Sequence, residues 1–450
     1  MQKEQNVRYI ALDLLLRIEK EGSFSHLLLS QMIHKSKLSE QDERLLTEIV
    51  YGTMERKMTL DYYLTPFIQT PKKVTDWVMT LLRMSVFQLQ FLDKIPAYAV
   101  IDESVEIAKH KGHRGIASFV NGILRNMLRK GVPALDKIPD PILQLSISTS
   151  HPKWLVERWV DQYGFDLTKQ MCETNVTKKP ISIRINRLRT TREQILDRLK
   201  DEGITAEGSP YCKDGIIIRN GNILKTNLIA EGLITVQDQS SMLASRTLQV
   251  EQNMQVLDTC SAPGGKATYL GELMNNKGTI HSYDLHKNKL KLIENNASRL
   301  GLTNIQVGQC DARSLQTVYK PETFDRILVD APCSGLGVIR TKPDIKYNKN
   351  VEDINKLHDI QFAILEHIAP LLKKDGKIVY STCTVDTTEN EEVVRQFIKK
   401  HSNFYVDKTF LDELSIHSEN ARITEFGIQL FPHTIQSDGF FITRLEKNDH

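Results

Sequence analysis

The sequence predicts a multidomain protein: an all-α N-terminal bundle over residues 1–140, a connector and small α/β unit over 141–240, and a doubly wound, Rossmann-like α/β domain over 241–450. Three observations predict it. Apolar residues recur at three and four through the first third of the chain. Two runs alternate like strands around one helical stretch between residues 181 and 219, and after Ser240 strand-like and helix-like segments follow in strict alternation. A chain of 450 residues, 40% hydrophobic and 26% charged, accommodates about two to four such cores, and 23 Gly and 15 Pro exclude a collagen-like or low-complexity chain.

In the bundle, Val7, Ile10, Ala11, Leu14, Leu15 and Ile18 trace one helix face, and Trp77, Val78, Leu81, Leu82 and Met84 to Leu89 trace another. Ser39 with Asp42 forms a capping box ahead of Leu45 to Val50, and Pro71, Pro96 and Pro133 punctuate the pattern. The last helices carry Lys109, Lys111, His113, Arg114, Arg125, Arg129 and Lys130, which fit either a solvated helix face or an RNA phosphate contact. Net charge is only +3, from 59 basic and 56 acidic residues, which by itself points to no polyanion. The opening apolar run is interrupted by Asp13 and Arg17, so neither a membrane span nor a signal peptide is expected, and the expected address is cytoplasmic.

Beyond Pro141 the pattern predicts a connector with one amphipathic helix around Trp154 to Tyr163. Next, Ile181-Ser-Ile-Arg-Ile185 and Gly215-Ile-Ile-Ile-Arg219 read as strands around a helix from Thr191 to Leu199. Such an RRM-like unit can present a sheet to RNA, but the aromatic pairs that stack bases are missing, which leaves its role open. In the last domain, Gln255–Asp258, Thr279–Asp284, Ile305–Gly308, Arg326–Asp330 and Lys377–Ser381 are strands apolar on both faces, separated by helices such as Lys287–Leu300 and Ile354–Leu372. That describes a buried parallel sheet, whose ligands bind at the carboxyl ends of the strands.

Those ends are polar. The first leads into Cys260-Ser261-Ala262-Pro263-Gly264-Gly265-Lys266, where glycines permit close approach of a ligand and a helix N-terminus offers free N–H groups. Ala267 after Lys266 disfavours a P-loop, and the adjacent glycines are not the dinucleotide fingerprint, so a nucleoside cofactor without pyrophosphate is expected. Asp284 stands where ribose hydroxyls are bound, although an Asp there is as often a helix cap, and Asp311 suits an adenine amino group. With Asp258 and Asp330, four carboxylates would repel one another unless a ligand or cation offsets them.

The six cysteines stand singly, with no CxxC pair, which speaks against a zinc site, and no metal is expected. Cys172, Cys212 and Cys310 read as packing residues. Cys333 and Cys383 each follow a strand at the same face of the sheet, where helix N-termini favour thiolate.

The segments Val236-Gln-Asp-Gln-Ser-Ser241, Cys260 to Lys266, Val329-Asp-Ala-Pro-Cys-Ser-Gly-Leu-Gly-Val338, Tyr380-Ser-Thr-Cys-Thr384, Glu389-Asn-Glu391 and Asp438-Gly-Phe-Phe441 resemble, in order, the NOL/NOP/Sun group of S-adenosylmethionine-dependent RNA cytosine-5 methyltransferases. The helical first third looks like the antitermination factor NusB. Ser261 replaces a frequent Ala, and Arg340-Thr-Lys-Pro-Asp344 departs from Arg-Arg-x-Pro-Asp, which bears on one substrate-side arginine.

The resemblance implies S-adenosyl-L-methionine as cofactor, with residues 260–266 around its methionine part, Asp284 on the ribose, Asp311 on the adenine and Asp330 alongside. It implies Cys383 as nucleophile at carbon 6 of cytosine, Asp330 holding the ring near N3, Cys333 assisting release and Lys266 near the reacting groups. The implied partner is small-subunit (16S) ribosomal RNA, free or in an assembly intermediate, with no membrane and no obligate protein partner. Two other readings stay beside it: a non-catalytic RNA-binding assembly factor, and a methyltransferase acting on transfer RNA or protein.

Overall fold

The computed structural model describes residues 6–21, 25–36, 38–414 and 416–448. The outermost residues of the first and last expected domains, 1–5 and 449–450, lie outside them. The chain forms two compact units, one of residues 1–177 with 339–348, the other of residues 178–338 with 349–450. Among the described residues no helix is long and apolar enough to cross a membrane.

The first unit is all helical: α1 (Val7–Glu21), α2 (Ser25–Lys35), α3 (Glu40–Glu55), α4 (Lys57–Leu64), α5 (Asp76–Phe91), α6 (Ala97–Lys111), α7 (Arg114–Lys130), α8 (Pro141–Ser148), α9 (Lys153–Tyr163) and α10 (Phe165–Asn175). All six apolar residues expected on α1 are buried in its core, with Leu81, Leu82, Met84 and Val86 of α5. Ser39 caps α3 by accepting the Asp42 N–H. The basic residues on α6 and α7 are exposed. The expected connector divides between the units. Its helices α8 to α10 pack with the bundle, because the Thr59 hydroxyl donates to the Ile147 carbonyl at 2.6 Å and the Met58 N–H to Ser150 Oγ at 2.7 Å.

A ten-residue strap, Ile339–Asn348, also belongs to this unit although the sequence places it after the Cys333 segment. Lys346 on it is wholly buried, donates to the Glu55 carbonyl at 2.8 Å, and is pushed down to about 7 by burial against the opposing pull of Glu55. Tyr347 shares a 2.8 Å hydroxyl hydrogen bond with Ser150. Arg340, in the segment that departs from the expected arginine pair, donates to the Thr177 carbonyl at 3.0 Å.

The second unit begins with a four-stranded antiparallel sheet of β1 (Ile181–Ile185), β2 (Thr205–Gly208), β3 (Gly215–Asn220) and β4 (Ile234–Val236), in the order β2-β3-β1-β4, with α11 (Arg192–Asp201) among them. Ile183 and Ile185 of β1 face a core with Ile195 and Leu199 of α11. The alternation of β1 predicts a solvated second face, yet Ser182 and Arg184 on it are buried as well.

After α12 (Gln239–Thr247), the chain runs through β5 (Gln255–Asp258), α13 (Gly265–Leu273), β6 (Thr279–Asp284), α14 (Lys287–Leu300), β7 (Ile305–Gln309), β8 (Phe324–Asp330), α15 (Val351–Ile368), β9 (Leu372–Thr382), α16 (Glu391–Lys400), β10 (Phe404–Val406), α17 (Phe410–Leu414), β11 (Arg422–Ile423), β12 (Ile428–Leu430) and β13 (Phe440–Lys447). The strands lie in the order β11-β12-β13-β9-β8-β5-β6-β7, with β10 on β13. The five expected strands are parallel; β13 inserts antiparallel beside β9, so the sheet is mixed. The order reverses between β5 and β8, which opens the crevice where such folds bind ligands.

Candidate active site

The loop leaving β5 turns at Gly264, whose φ of +98° and Cβ position 3.1 Å from Ile293 Cα leave room for glycine alone. The turn is braced inside: Thr268 Oγ1 donates to the Gly264 carbonyl at 2.8 Å. Asp284 at the end of β6 accepts the Ala262 N–H at 3.3 Å and the His286 N–H at 2.9 Å, so it fixes the loop and its own turn together. Asp311 beyond β7 caps a short helix through the Arg313 N–H and is paired with the Arg313 guanidinium at 2.6 Å, which holds its carboxyl below the usual range.

Asp258 is the anomaly of this half. It is fully buried, and only the Ser261 hydroxyl and the Cys260 N–H stand beside its carboxylate as donors. Burial, with the neighbouring Asp330 adding, pushes its carboxyl up to about 7. These donors and the nearby Lys266 do not offset the burial of this carboxylate, and a further cation beside it would. The site therefore fits a cofactor that brings a positive charge to Asp258 and hydroxyls to Asp284.

Across the crevice, β8 and β9 pair Asp330 with Ser381 in register. Asp330 Oδ2 receives the Lys266 ammonium at 2.7 Å and Oδ1 the Ser381 hydroxyl at 2.9 Å. Burial works against the Lys266 charge, but Asp330 outweighs it and raises the lysine above its ordinary value. Cys333 and Cys383 meet with their Sγ atoms 3.3 Å apart. The contact with Cys383, together with burial, raises the Cys333 thiol well above the ordinary range and keeps its proton.

The Cys333 turn is gripped by Glu389, which accepts the Ser334 N–H at 2.8 Å and the Ser334 hydroxyl at 2.5 Å. Gln361 of α15 donates to Glu389 at 3.0 Å and to the Pro332 carbonyl at 2.9 Å. Gly337 donates its N–H to the Cys383 carbonyl at 3.0 Å and accepts the Gly439 N–H at 2.8 Å. A Cβ on Gly337 would stand 1.9 Å from the Gly439 oxygen. Three segments far apart in sequence thus lock backbone to backbone around the two thiols.

The crevice accordingly brings together Cys260 to Lys266, Asp284, Asp330, Cys333 and Cys383, with Asp311 at the β7 end. Cys172 and Cys212 are buried with thiols pushed up to about 12, as packing residues are, and burial raises Cys310 too. Cys260 on the loop is also pushed up to about 12 by burial. Sequence reasoning gave no role to Ser381, Gly337 or Gly439, although each stands inside a quoted motif. It missed Arg184, Gln237 and Lys179; Lys179 is half-buried between Asp238 and Asp438, with Asp438 at 2.6 Å.

Three family models match the chain: 16S rRNA methyltransferase RsmB/F over residues 245–446, the NusB family over 5–129, and the ferredoxin-like domain of RsmF/B-like methyltransferases over 151–223. The chain is similar to a probable ribosomal RNA small subunit methyltransferase B of Bacillus subtilis (strain 168), 47% identical over 447 residues and 99% of both chains. It is similar to ribosomal RNA small subunit methyltransferase B of Pseudomonas putida, 32% identical over 418 residues, 91% of this chain and 92% of that one. Among solved structures it is similar to that of PH0851, with a TM-score of 0.82, 26% identity and coverage of 98% and 99%.

Proposed function

The chain belongs to the ribosomal RNA small subunit methyltransferase B family, and from that premise we propose that it methylates carbon 5 of a cytosine in 16S ribosomal RNA through a cysteine adduct at carbon 6. The observation that carries this reading is the pair of thiols 3.3 Å apart beside an Asp330 held by Lys266 and Ser381. A transferase acting on oxygen or nitrogen has no need of two thiols at the reacting edge.

Bound S-adenosylmethionine supplies an electrophilic methyl group; Asp258 would meet its ammonium, Asp284 its ribose and Asp311, on release from Arg313, its adenine. Carbon 5 of cytosine is a weak nucleophile. Thiolate addition from Cys383 to carbon 6 moves electron density to carbon 5, provided a donor stabilises the charge that develops on the ring. Asp330 holds the ring near N3, and Lys266 is the adjacent cation. After methylation the carbon 5 proton leaves to a base and the carbon–sulfur bond breaks. Cys333, a protonated thiol against the departing sulfur, serves that release. Attack on the ring face requires an unstacked base, so the substrate is an unpaired stretch of the RNA, free or in an assembly intermediate. The exposed basic residues of α6 and α7 are suited to phosphate contacts that position it.

The test is transfer of labelled methyl from S-adenosylmethionine to small-subunit ribosomal RNA taken from a strain lacking this gene. Appearance of 5-methylcytidine in the digested product is expected. A different methylated nucleoside, or label only on transfer RNA or protein, overturns the reading.

A further inference from the structure

Arg184 is a fully buried guanidinium on β1, an inner strand of the small sheet, and its partners lie around the start of α13. Its Nη1 donates to the Gly265 carbonyl at 2.8 Å and to the Gln237 side chain; its Nη2 donates to Glu272 at 2.8 Å and Thr268 at 3.2 Å. The guanidinium also lies 4.7 Å from the centre of the Tyr269 ring. Gln237 is fixed in turn, since the Ser182 hydroxyl donates to its carbonyl at 2.8 Å. The face of β1 that an RNA-binding sheet would leave open is therefore occupied in gripping the glycine turn.

We propose that Arg184 is a positioning residue that sets the cofactor turn Gly264–Gly265 from the small domain, so that this domain acts in S-adenosylmethionine binding. The inference rests on the cofactor reading above. A peptide group is planar, so fixing the Gly265 carbonyl fixes the Lys266 N–H at the other end of the same plane. The N–H groups of the first helical turn have no acceptor within the helix and are the ones a ligand uses. Two glycines in succession give this turn wide conformational freedom; Thr268 braces it from within, donating to the Gly264 carbonyl at 2.8 Å and the Gly265 carbonyl at 3.1 Å, and Arg184 adds a grip from outside, which leaves less freedom to be lost when the cofactor binds. Packing alone does not call for this arrangement. A buried ion pair such as Arg184 with Glu272 is commonly replaceable by apolar residues without loss of stability, whereas the donor to Gly265 is not supplied by an apolar residue.

Three variants separate positioning from structure: Arg184→Lys, Glu272→Gln, and the double change Arg184→Met with Glu272→Met. Cofactor affinity is measured by titration calorimetry with S-adenosylmethionine, together with KM and kcat and the thermal midpoint of each full-length protein. Arg184→Lys and the double variant are expected to raise Kd and KM for the cofactor about 10-fold, the scale of one charge-assisted hydrogen bond, with kcat within about twofold. Glu272→Gln lowers the thermal midpoint and leaves Kd within about twofold, because the grip on Gly265 survives. A folded double variant that binds as the wild type does, or a Glu272→Gln protein that binds as weakly as Arg184→Lys, reduces Arg184 to a packing residue and overturns the proposal. A wild-type protein that gives no binding signal removes the cofactor reading itself, and is seen before any variant is compared.

Discussion

The Sγ atoms of Cys333 and Cys383 lie 3.3 Å apart, within one hydrogen bond, at the ends of two strands neighbouring in the sheet and 50 residues apart in the chain. That contact, together with burial, raises the Cys333 thiol well above its ordinary value.

The first prediction follows from that contact. Cys383→Ala binds S-adenosylmethionine with unchanged affinity and loses methyl transfer at least about a thousand-fold, the scale on which covalent nucleophiles contribute. Cys333→Ala accumulates a protein–RNA adduct that survives denaturing electrophoresis. Turnover at the wild-type rate in either variant would reassign the sulfurs.

Asp258 predicts proton release. Its folded-state carboxyl is raised to about 7, so without cofactor its contribution to stability is present at acid pH and lost as pH rises through about 7. A cationic ligand brings the carboxyl down again. Binding near pH 6.5 should then release a substantial fraction of one proton, read as a dependence of the binding heat on buffer ionisation enthalpy. Asp258→Asn should abolish that dependence and weaken binding.

Gly337→Ala should destabilise the catalytic unit by about 1–3 kcal/mol or more, because the added Cβ meets the Gly439 oxygen and overpacked sites cost that much. Denaturant unfolding measures the loss. Activity should fall further than stability does at temperatures where the variant stays folded, since the clash displaces the Cys383 carbonyl that Gly337 binds.

Much of the catalytic half is legible in the sequence, because a buried parallel strand must be apolar on both faces and a helix must repeat. The helix Lys287–Leu300 is found at the expected residues, and so are the strands Gln255–Asp258 and Thr279–Asp284. What escapes are side-chain grips across long sequence separation that no strand end announces. Nothing local to Arg184 says that its side of β1 is covered; a charged residue alternating with isoleucines reads as solvent-facing. Glu389 lies 55 residues from the Ser334 it grips, and no period links them. Lys346 in a polar loop likewise reads as exposed, yet it is among the largest wholly buried side chains.

Lys346 gives a pH signature to the helical unit. Its folded value, lowered to about 7, lies below the ordinary lysine value of about 10.4, so its contribution to stability is present at alkaline pH and lost as pH falls through about 7. Glu55, raised by burial, and Arg56 face the same group. Thermal unfolding should therefore show the wild type gaining stability between about pH 7 and 9 relative to Lys346→Met, whose curve lacks that rise. Parallel curves would remove the lysine as the source.

The strap carrying Lys346 makes the chain cross between its units three times, after residues 177, 338 and 348. Tandem domains joined by one linker can be cut apart, shuffled or replaced at a single junction, and each piece keeps its whole core. Here no single cut does so. A fragment ending at residue 177 leaves the Glu55 carbonyl and Ser150 without Lys346 and Tyr347, and the complementary fragment carries a strap whose buried lysine has lost its cavity. The core of the helical unit is therefore complete only once residue 348 has been made, so its folding is tied to synthesis of most of the second unit.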